Sequence, residues 1–305
     1  MKIAFLQGFS PKKCKTEREP TRTEGSRFPN KSNISAFSLI LIVFLTTSCK
    51  TISTETYKTE TPLLKEQSSI KIALISDLHS SIFGKDQIIL IDRIKDINPD
   101  FIVLSGDIFD DAISMTGTQL LLKGIYGISP IYYVTGNHEY MSYNMPAFRD
   151  ELGSYGVIIL SDNYIITEIN NNKIVIAGIE DPYKRIYETP GYNQNASMES
   201  AFRELDEISL YKILIAHRPE LIENYKKYSF DLVLSGHTHG GQVRIPFILN
   251  GLYAPGQGIF PKYAGGIYTH GNLTHIISRG LSVNPEIPRI FNPPELVIVI
   301  IESKK

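Results

Sequence analysis

The sequence predicts an α/β domain built on stacked sheets, one domain from about residue 70 to 303. Two observations predict it. Eight short runs rich in Ile and Val recur from residue 70 onward. Runs of that length and composition are buried strands, because β-branched side chains suit a pleated surface and so few residues make a poor helix. Between the first two runs, "KDQIILIDRIKDINPD" sets Leu90, Ile91, Ile94 and Ile97 on one helical face, with Pro99 as a stop. Strand, helix, strand at that spacing is a βαβ crossover, which implies parallel pairing.

In chain order, strands are expected at 70–76, 101–106, 131–136, 173–179, 212–216, 230–236, 274–280 and 295–301. After the first helix, further helices are expected near 114–126, 146–153, 198–208 and 218–226. A hydrophobic content of 42% with 21% charged residues supports a sizeable core. The formal charge of -1 offers no electrostatic case for a nucleic-acid partner.

The domain, taken as 69–305, is preceded by two segments of different character. Residues 1–48 read as a signal region. Residues 1–35 carry eight Lys or Arg against three Glu, a net +5 that leaves -6 in the remainder. An apolar run from Ala36 to Leu45 follows, far short of the ~20 residues a membrane-spanning helix needs. A basic lead, a short apolar core and small residues describe an export signal. Thr46, Thr47 and Ser48 before Cys49 resemble the lipobox of bacterial lipoproteins, although Thr46 stands where Leu is usual. That resemblance implies removal of the signal, lipidation of Cys49 and a membrane-anchored protein of a bacterial envelope. Residues 49–68, rich in Thr, Lys and Glu without a period, read as a tether.

The two cysteines are Cys14 and Cys49, so any metal in the domain is held by oxygen and imidazole nitrogen. The strand ends supply such ligands. Asp77-Leu78-His79 follows the first strand, Asp107 with Asp110 and Asp111 the second, and Asn137-His138-Glu139 the third. His217 follows "KILIA", and His237-Thr238-His239 follows "LVLSG". Open α/β sheets bind ligands at the carboxyl ends of their strands. Five of the seven histidines fall in these positions. Imidazole, carboxylate and amide oxygen suit a hydrolytic pair of divalent ions such as Mn, Fe or Zn. In an extended segment, residues i and i+2 point the same way. Asp77 and His79 are therefore expected to grip one ion together, and likewise His237 and His239 once the strand bends.

These five blocks, in this order, resemble the signature blocks of the calcineurin-like metallophosphoesterases. "GHTHGGQVRIP" and "SRGL" at 278–281 resemble the bacterial YkuE/YaeI-like branch. The resemblance implies a four-layer α/β/β/α sandwich with two metals above the sheet edges. It assigns Asp77, His79 and His239 to one metal, Asn137, His217 and His237 to the other, and Asp107 to both. It places His138 beside the substrate as the acid for the leaving oxygen, with Asp110 as its partner. The chain lacks the Arg that follows the second Asp in Ser/Thr protein phosphatases, which disfavours a phosphoprotein substrate. Arg218 has two readings: a phosphate contact, or a surface arginine ahead of Pro219.

The Gly-rich stretch 240–271, with Phe247, Tyr253, Phe260, Tyr263 and Tyr268, also has two readings. One is a pair of hairpins closing the sheet with aromatics as core; the other is an apolar rim accepting a lipid-like phosphodiester. The function expected is metal-dependent phosphoester hydrolysis at a membrane surface. The alternatives are a pyrophosphatase of UDP-2,3-diacylglucosamine type and a non-catalytic envelope lipoprotein.

Overall fold

The computed structural model describes residues 51–283 and 288–304. Its strands are β1 (Ser53–Thr61), β2 (Ser69–Ile75), β3 (Phe101–Ser105), β4 (Ile131–Val134), β5 (Ile158–Ile159), β6 (Asn163–Ile169) and β7 (Asn172–Gly178). They continue as β8 (Tyr211–Ile215), β9 (Leu232–Ser235), β10 (Tyr253–Ala254), β11 (Gly258–Ile259), β12 (Gly266–His270), β13 (Leu273–Ile277) and β14 (Glu295–Ser303). Helices are α1 (Ile88–Ile97), α2 (Thr116–Ile125), α3 (Asn137–Met141), α4 (Met145–Ser154), α5 (Lys184–Tyr187), α6 (Gln194–Phe202) and α7 (Ile222–Tyr225).

Two six-stranded sheets form, in the orders β1-β14-β2-β3-β4-β5 and β12-β13-β9-β8-β7-β6. Strands β2 to β5 are mutually parallel, as are β7, β8, β9 and β13. Their carboxyl ends therefore line up along one edge of each sheet. Strand alternation divides the apolar side chains. Ile72, Leu74 and Val103 face Ile176, Ile213 and Leu232 between the sheets. Ala73, Ile75 and Leu104 pack with Leu90, Ile94 and Leu121 of α1 and α2 on the first outer face. On the second, Val175, Leu214 and Val233 pack with Met198, Phe202 and Tyr225 of α6 and α7. The result is the α/β/β/α sandwich. Helix α1 buries Leu90, Ile91 and Ile94 as its pattern requires, each contributing about 1.5–3 kcal/mol. It ends on Asn98, in the left-handed conformation at φ 48°.

The structure revises three sequence expectations. Residues 53–61, read as part of a tether, form β1, paired parallel with β14 from Ser53↔Glu295 to Thr61↔Ser303. Without β1 the outer edge of β14 would present unpaired backbone groups. The Thr residues and Tyr57 favour the extended chain, and Tyr57 packs against the inter-sheet core. Second, the two later helices are short: α6 continues as a 3-10 turn over Arg203–Glu207, and α7 follows another at Pro219–Leu221. Third, the aromatics of 240–271 divide, with Tyr263 buried while Phe247, Tyr253 and Phe260 are exposed. The signal region and Cys49 lie outside the described residues.

Candidate metal centre

Strands from both sheets deliver the expected side chains to one place. Donor atoms of Asp77, His79 and His239 lie within 4.8 Å of one another, as do those of Asp107, His217 and His237. Asp107 joins the two groups. Its Oδ2 lies 3.7 Å from His79 Nε2 and 3.1 Å from His217 Nε2, while Oδ1 accepts the backbone N–H of His138 at 2.9 Å. Asn137 opens α3 directly after β4 and is buried.

The local geometry that achieves this is not an extended strand. Asp77, His79, Asp107, His237 and His239 all have positive φ, between 47° and 71°. Non-glycine residues adopt this region rarely and at a cost, and surrounding structure must hold them there. Here the loops after β2 and β3 are zipped together, with Asp77 N–H to Gly106 O at 3.1 Å and His79 N–H to Asp107 O at 2.9 Å. The pairing of Asp77 with His79 thus comes from left-handed turns, not from the i, i+2 rule expected for an extended chain. Glu139 fixes the next loop. Its carboxylate accepts backbone N–H groups of Gly136, Asp107, Ile108 and Phe109. Gly136 must be small, since a Cβ there would sit 2.1 Å from Asp107 Oδ1.

The hydrogen bonds select one ring nitrogen of three histidines for the centre. His217 Nδ1 donates to Ser105 O at 2.8 Å, His79 Nδ1 meets Asp110 Oδ2 at 2.8 Å, and His239 Nδ1 meets Ser282 Oγ at 2.8 Å. For His79 and His239, Nε2 is then left for a ligand, the arrangement usual for metal-binding imidazole, whereas His217 Nε2 already lies 3.1 Å from Asp107 Oδ2. His237 Nδ1 lies 3.1 Å from His217 Nε2. Burial is the largest influence on the His237 and His239 rings, and with neighbouring cationic groups it holds both well below the usual range. They are neutral donors at neutral pH. Burial lowers His217 too, but Asp107 and Asp77 outweigh it and push it up to about 10. Burial likewise raises Asp107, and the surrounding imidazoles reverse this to hold it well below the carboxylate range.

The donor set fits divalent cations on a direct observation. The buried Asp107 Oδ2 has His217 Nε2 at 3.1 Å, while His79 Nε2 and Asn137 Oδ1 are buried and have no hydrogen-bond partner. Such atoms cost stability unless something meets them.

Two expectations need correction. The partner of His138 is Asp111, at 2.5 Å from Nδ1, and Asp110 instead holds His79. Either carboxylate satisfied the spacing; only the turn after Asp107 decides between them. Arg218 is not a surface residue, its side chain being largely buried. Its guanidinium donates to both oxygens of Asp181, at 2.6 and 3.2 Å, stacks on Tyr183 and approaches His237 Nε2 at 3.3 Å. Asp181 escaped the sequence reading, although it follows β7 just as the other ligands follow their strands. Glu220, 3.8 Å from His237 Nε2, left no such mark. His270 and His275 stand apart from the centre, on β12 and β13.

The comparisons agree with this geometry. Residues 70–241 match the family model of the calcineurin-like phosphoesterases. An uncharacterized metallophosphoesterase of Aquifex aeolicus is 32% identical over 258 residues, covering 82% of this chain and 92% of that protein. The uncharacterized metallophosphoesterase YkuE of Bacillus subtilis is 30% identical over 247 residues, covering 76% and 79%. The convergent Asp, His and Asn side chains, the sandwich and these matches lead to one conclusion: the chain belongs to the calcineurin-like phosphoesterases, hydrolases of phosphoric ester bonds.

Proposed function

We propose that the chain hydrolyses phosphate mono- or diesters at a dinuclear centre, held by Asp77, His79 and His239 on one side and Asn137, His217 and His237 on the other, with Asp107 shared. The observation that carries this reading is the grouping of the donor atoms of Asp77, His79 and His239, and of Asp107, His217 and His237, each set within 4.8 Å, with the buried His79 Nε2 and Asn137 Oδ1 lacking a hydrogen-bond partner. An unmet buried polar atom costs about 1–3 kcal/mol, which a bound cation offsets. When bound there, divalent ions such as Mn, Fe or Zn would supply Lewis-acid charge for a phosphoester and a hydroxide nucleophile at neutral pH.

The chain contributes a positioned acid. His138 sits edge-on to His79, with ring centroids 4.4 Å apart, and Asp111 occupies its Nδ1. Its Nε2 remains to hand a proton to the leaving oxygen, a role typically worth 10²–10⁴-fold. Arg218, engaged by Asp181, orients His237 rather than phosphate. The basic lead, apolar run and Cys49 support an exported, membrane-tethered protein, which the mass of the mature N-terminus would test.

The function is tested by assaying the full chain, loaded with Mn, Fe or Zn, on p-nitrophenyl phosphate, bis-p-nitrophenyl phosphate and a nucleoside-diphosphate sugar. Turnover that vanishes on chelation and in Asp107→Asn is expected. Absence of turnover with all three metals would return the chain to a binding role. Preference for the diphosphate would favour the pyrophosphatase.

A further inference from the structure

The metal-centre end of the molecule carries a feature that the chemistry does not use. Between His239 and β12 the chain leaves the sheet and exposes Phe247, Ile248, Leu252, Ile259 and Phe260, with Phe291 exposed beside them. These belong to one knit surface. Phe260 N–H donates to Leu252 O at 2.8 Å, Tyr253 pairs with Ile259, and Arg244 N–H donates to Ile290 O at 2.9 Å. A contiguous apolar surface of this kind usually marks an interaction site. It borders the centre: Gly256 sits against Glu220, where an added Cβ would come within 2.4 Å of Oε1, and Glu220 in turn approaches His237.

The topology places the incoming chain at the same end. Strand β2 ends at the centre, β14 runs antiparallel to it, and β1 runs parallel to β14. Ser53 therefore lies at the centre's end of the sheet, its N–H donating to Pro294 O at 2.8 Å. The 50 residues before Thr51, with their basic lead and the apolar run Ala36 to Leu45, join the domain there. Charge agrees with a lipid surface. No Asp or Glu occurs in the sequence between Asp231 and Glu286, and the half-buried Arg244 and exposed Lys262 flank the loop on either side, with Glu220 beside Gly256.

We propose that the loop from Ile245 to Phe260 is a membrane-contact element that lays the metal-centre end of the molecule against an anionic lipid bilayer. A single tether leaves the domain free to tumble, and a second apolar contact, flanked by Arg244 and Lys262, fixes its orientation. The centre then opens toward lipid headgroups. This consequence, though not the contact itself, rests on the phosphoesterase reading above.

The chain has no tryptophan, so a single one reports its own surroundings. The test uses the full chain as Phe247→Trp and, separately, as Tyr126→Trp. Tyr126 is exposed after α2, at the opposite ends of the parallel strands. On vesicles of phosphatidylglycerol and phosphatidylethanolamine, Phe247→Trp emission should shift to the blue and be quenched by brominated lipid, while Tyr126→Trp stays unchanged. The double variant Phe247→Asp, Ile248→Asp should lose about tenfold in turnover of a vesicle-borne phosphoester, yet stay within about twofold on a water-soluble one. Water-exposed emission from Phe247→Trp in vesicle-bound protein would overturn the proposal. So would a blue shift without vesicles that grows with protein concentration, which marks a second copy as the partner. Loss of all turnover with the emission shift intact would instead overturn the phosphoesterase reading alone.

Discussion

Asp111 holds Nδ1 of His138 at 2.5 Å, while the adjacent Asp110 holds Nδ1 of His79 at 2.8 Å. One turn after β3 thus fixes two imidazoles with different duties. Asp110 also accepts the N–H groups of Ala112 and Ile113, at 2.8 and 2.9 Å, which keeps the turn in place. Asp111, about a quarter exposed, lies at the open side with His138.

If Asp111 orients His138 as an acid, Asp111→Asn should lower kcat by about 10–100-fold on an alkyl phosphoester and much less on a p-nitrophenyl ester, whose leaving group needs little protonation. Steady-state kinetics on both leaving groups decides this. An equal loss on each would assign Asp111 a purely structural role.

Two glycines should respond oppositely to alanine. Gly136→Ala drives a Cβ to 2.1 Å from Asp107 Oδ1 and 2.5 Å from its backbone N. Overpacking of this kind costs about 1–3 kcal/mol, and here it also displaces Asp107, so activity should fall with stability. Gly153, within α4, has open space around it, and Gly153→Ala should stabilise by about 0.5–1 kcal/mol. Urea unfolding of both variants measures the contrast.

Stability should fall with acid through a group outside the candidate metal centre. Burial, and then His270, hold His275 down from 6.5 to about 3. The unfolded chain takes up a proton below 6.5 while the folded ring stays neutral. Its contribution is therefore complete above that value and lost as pH falls toward about 3. Between about pH 7 and pH 5 the loss is about 2 kcal/mol. His275→Leu should flatten this part of the stability profile in urea titrations, whatever its effect at pH 7. An unchanged slope would mean that the ring is protonated in the fold.

Strand β1 makes the residues before Ser68 part of the fold. A chain starting at Ser68 loses nine paired residues and the buried side chain of Ile52. It bares the edge of β14, so it should melt at a lower temperature and aggregate more readily than a chain starting at Thr51. Calorimetry on the two proteins tests this, and equal melting temperatures would make β1 an ornament.

While β5, β6 and β12 escaped it, the sequence by itself determined β2, β3, β4, β7, β8, β9, β13 and β14, the helical face Leu90, Ile91, Ile94 and the strand-end positions of the candidate ligand residues. Each rests on a local pattern: apolar side chains repeat with the period of the element that buries them, and chemistry collects where those strands stop. β1 escaped because an edge strand alternates Thr, Tyr, Lys and Glu and buries little, leaving no apolar period to read. Tertiary structure alone decided whether Asp110 or Asp111 meets His138, that Asp181 captures Arg218, and that the ligand residues turn left-handed. These depend on loops from distant parts of the chain locking one another. A carboxylate's spacing along the sequence does not say which imidazole packing will bring within hydrogen-bond reach.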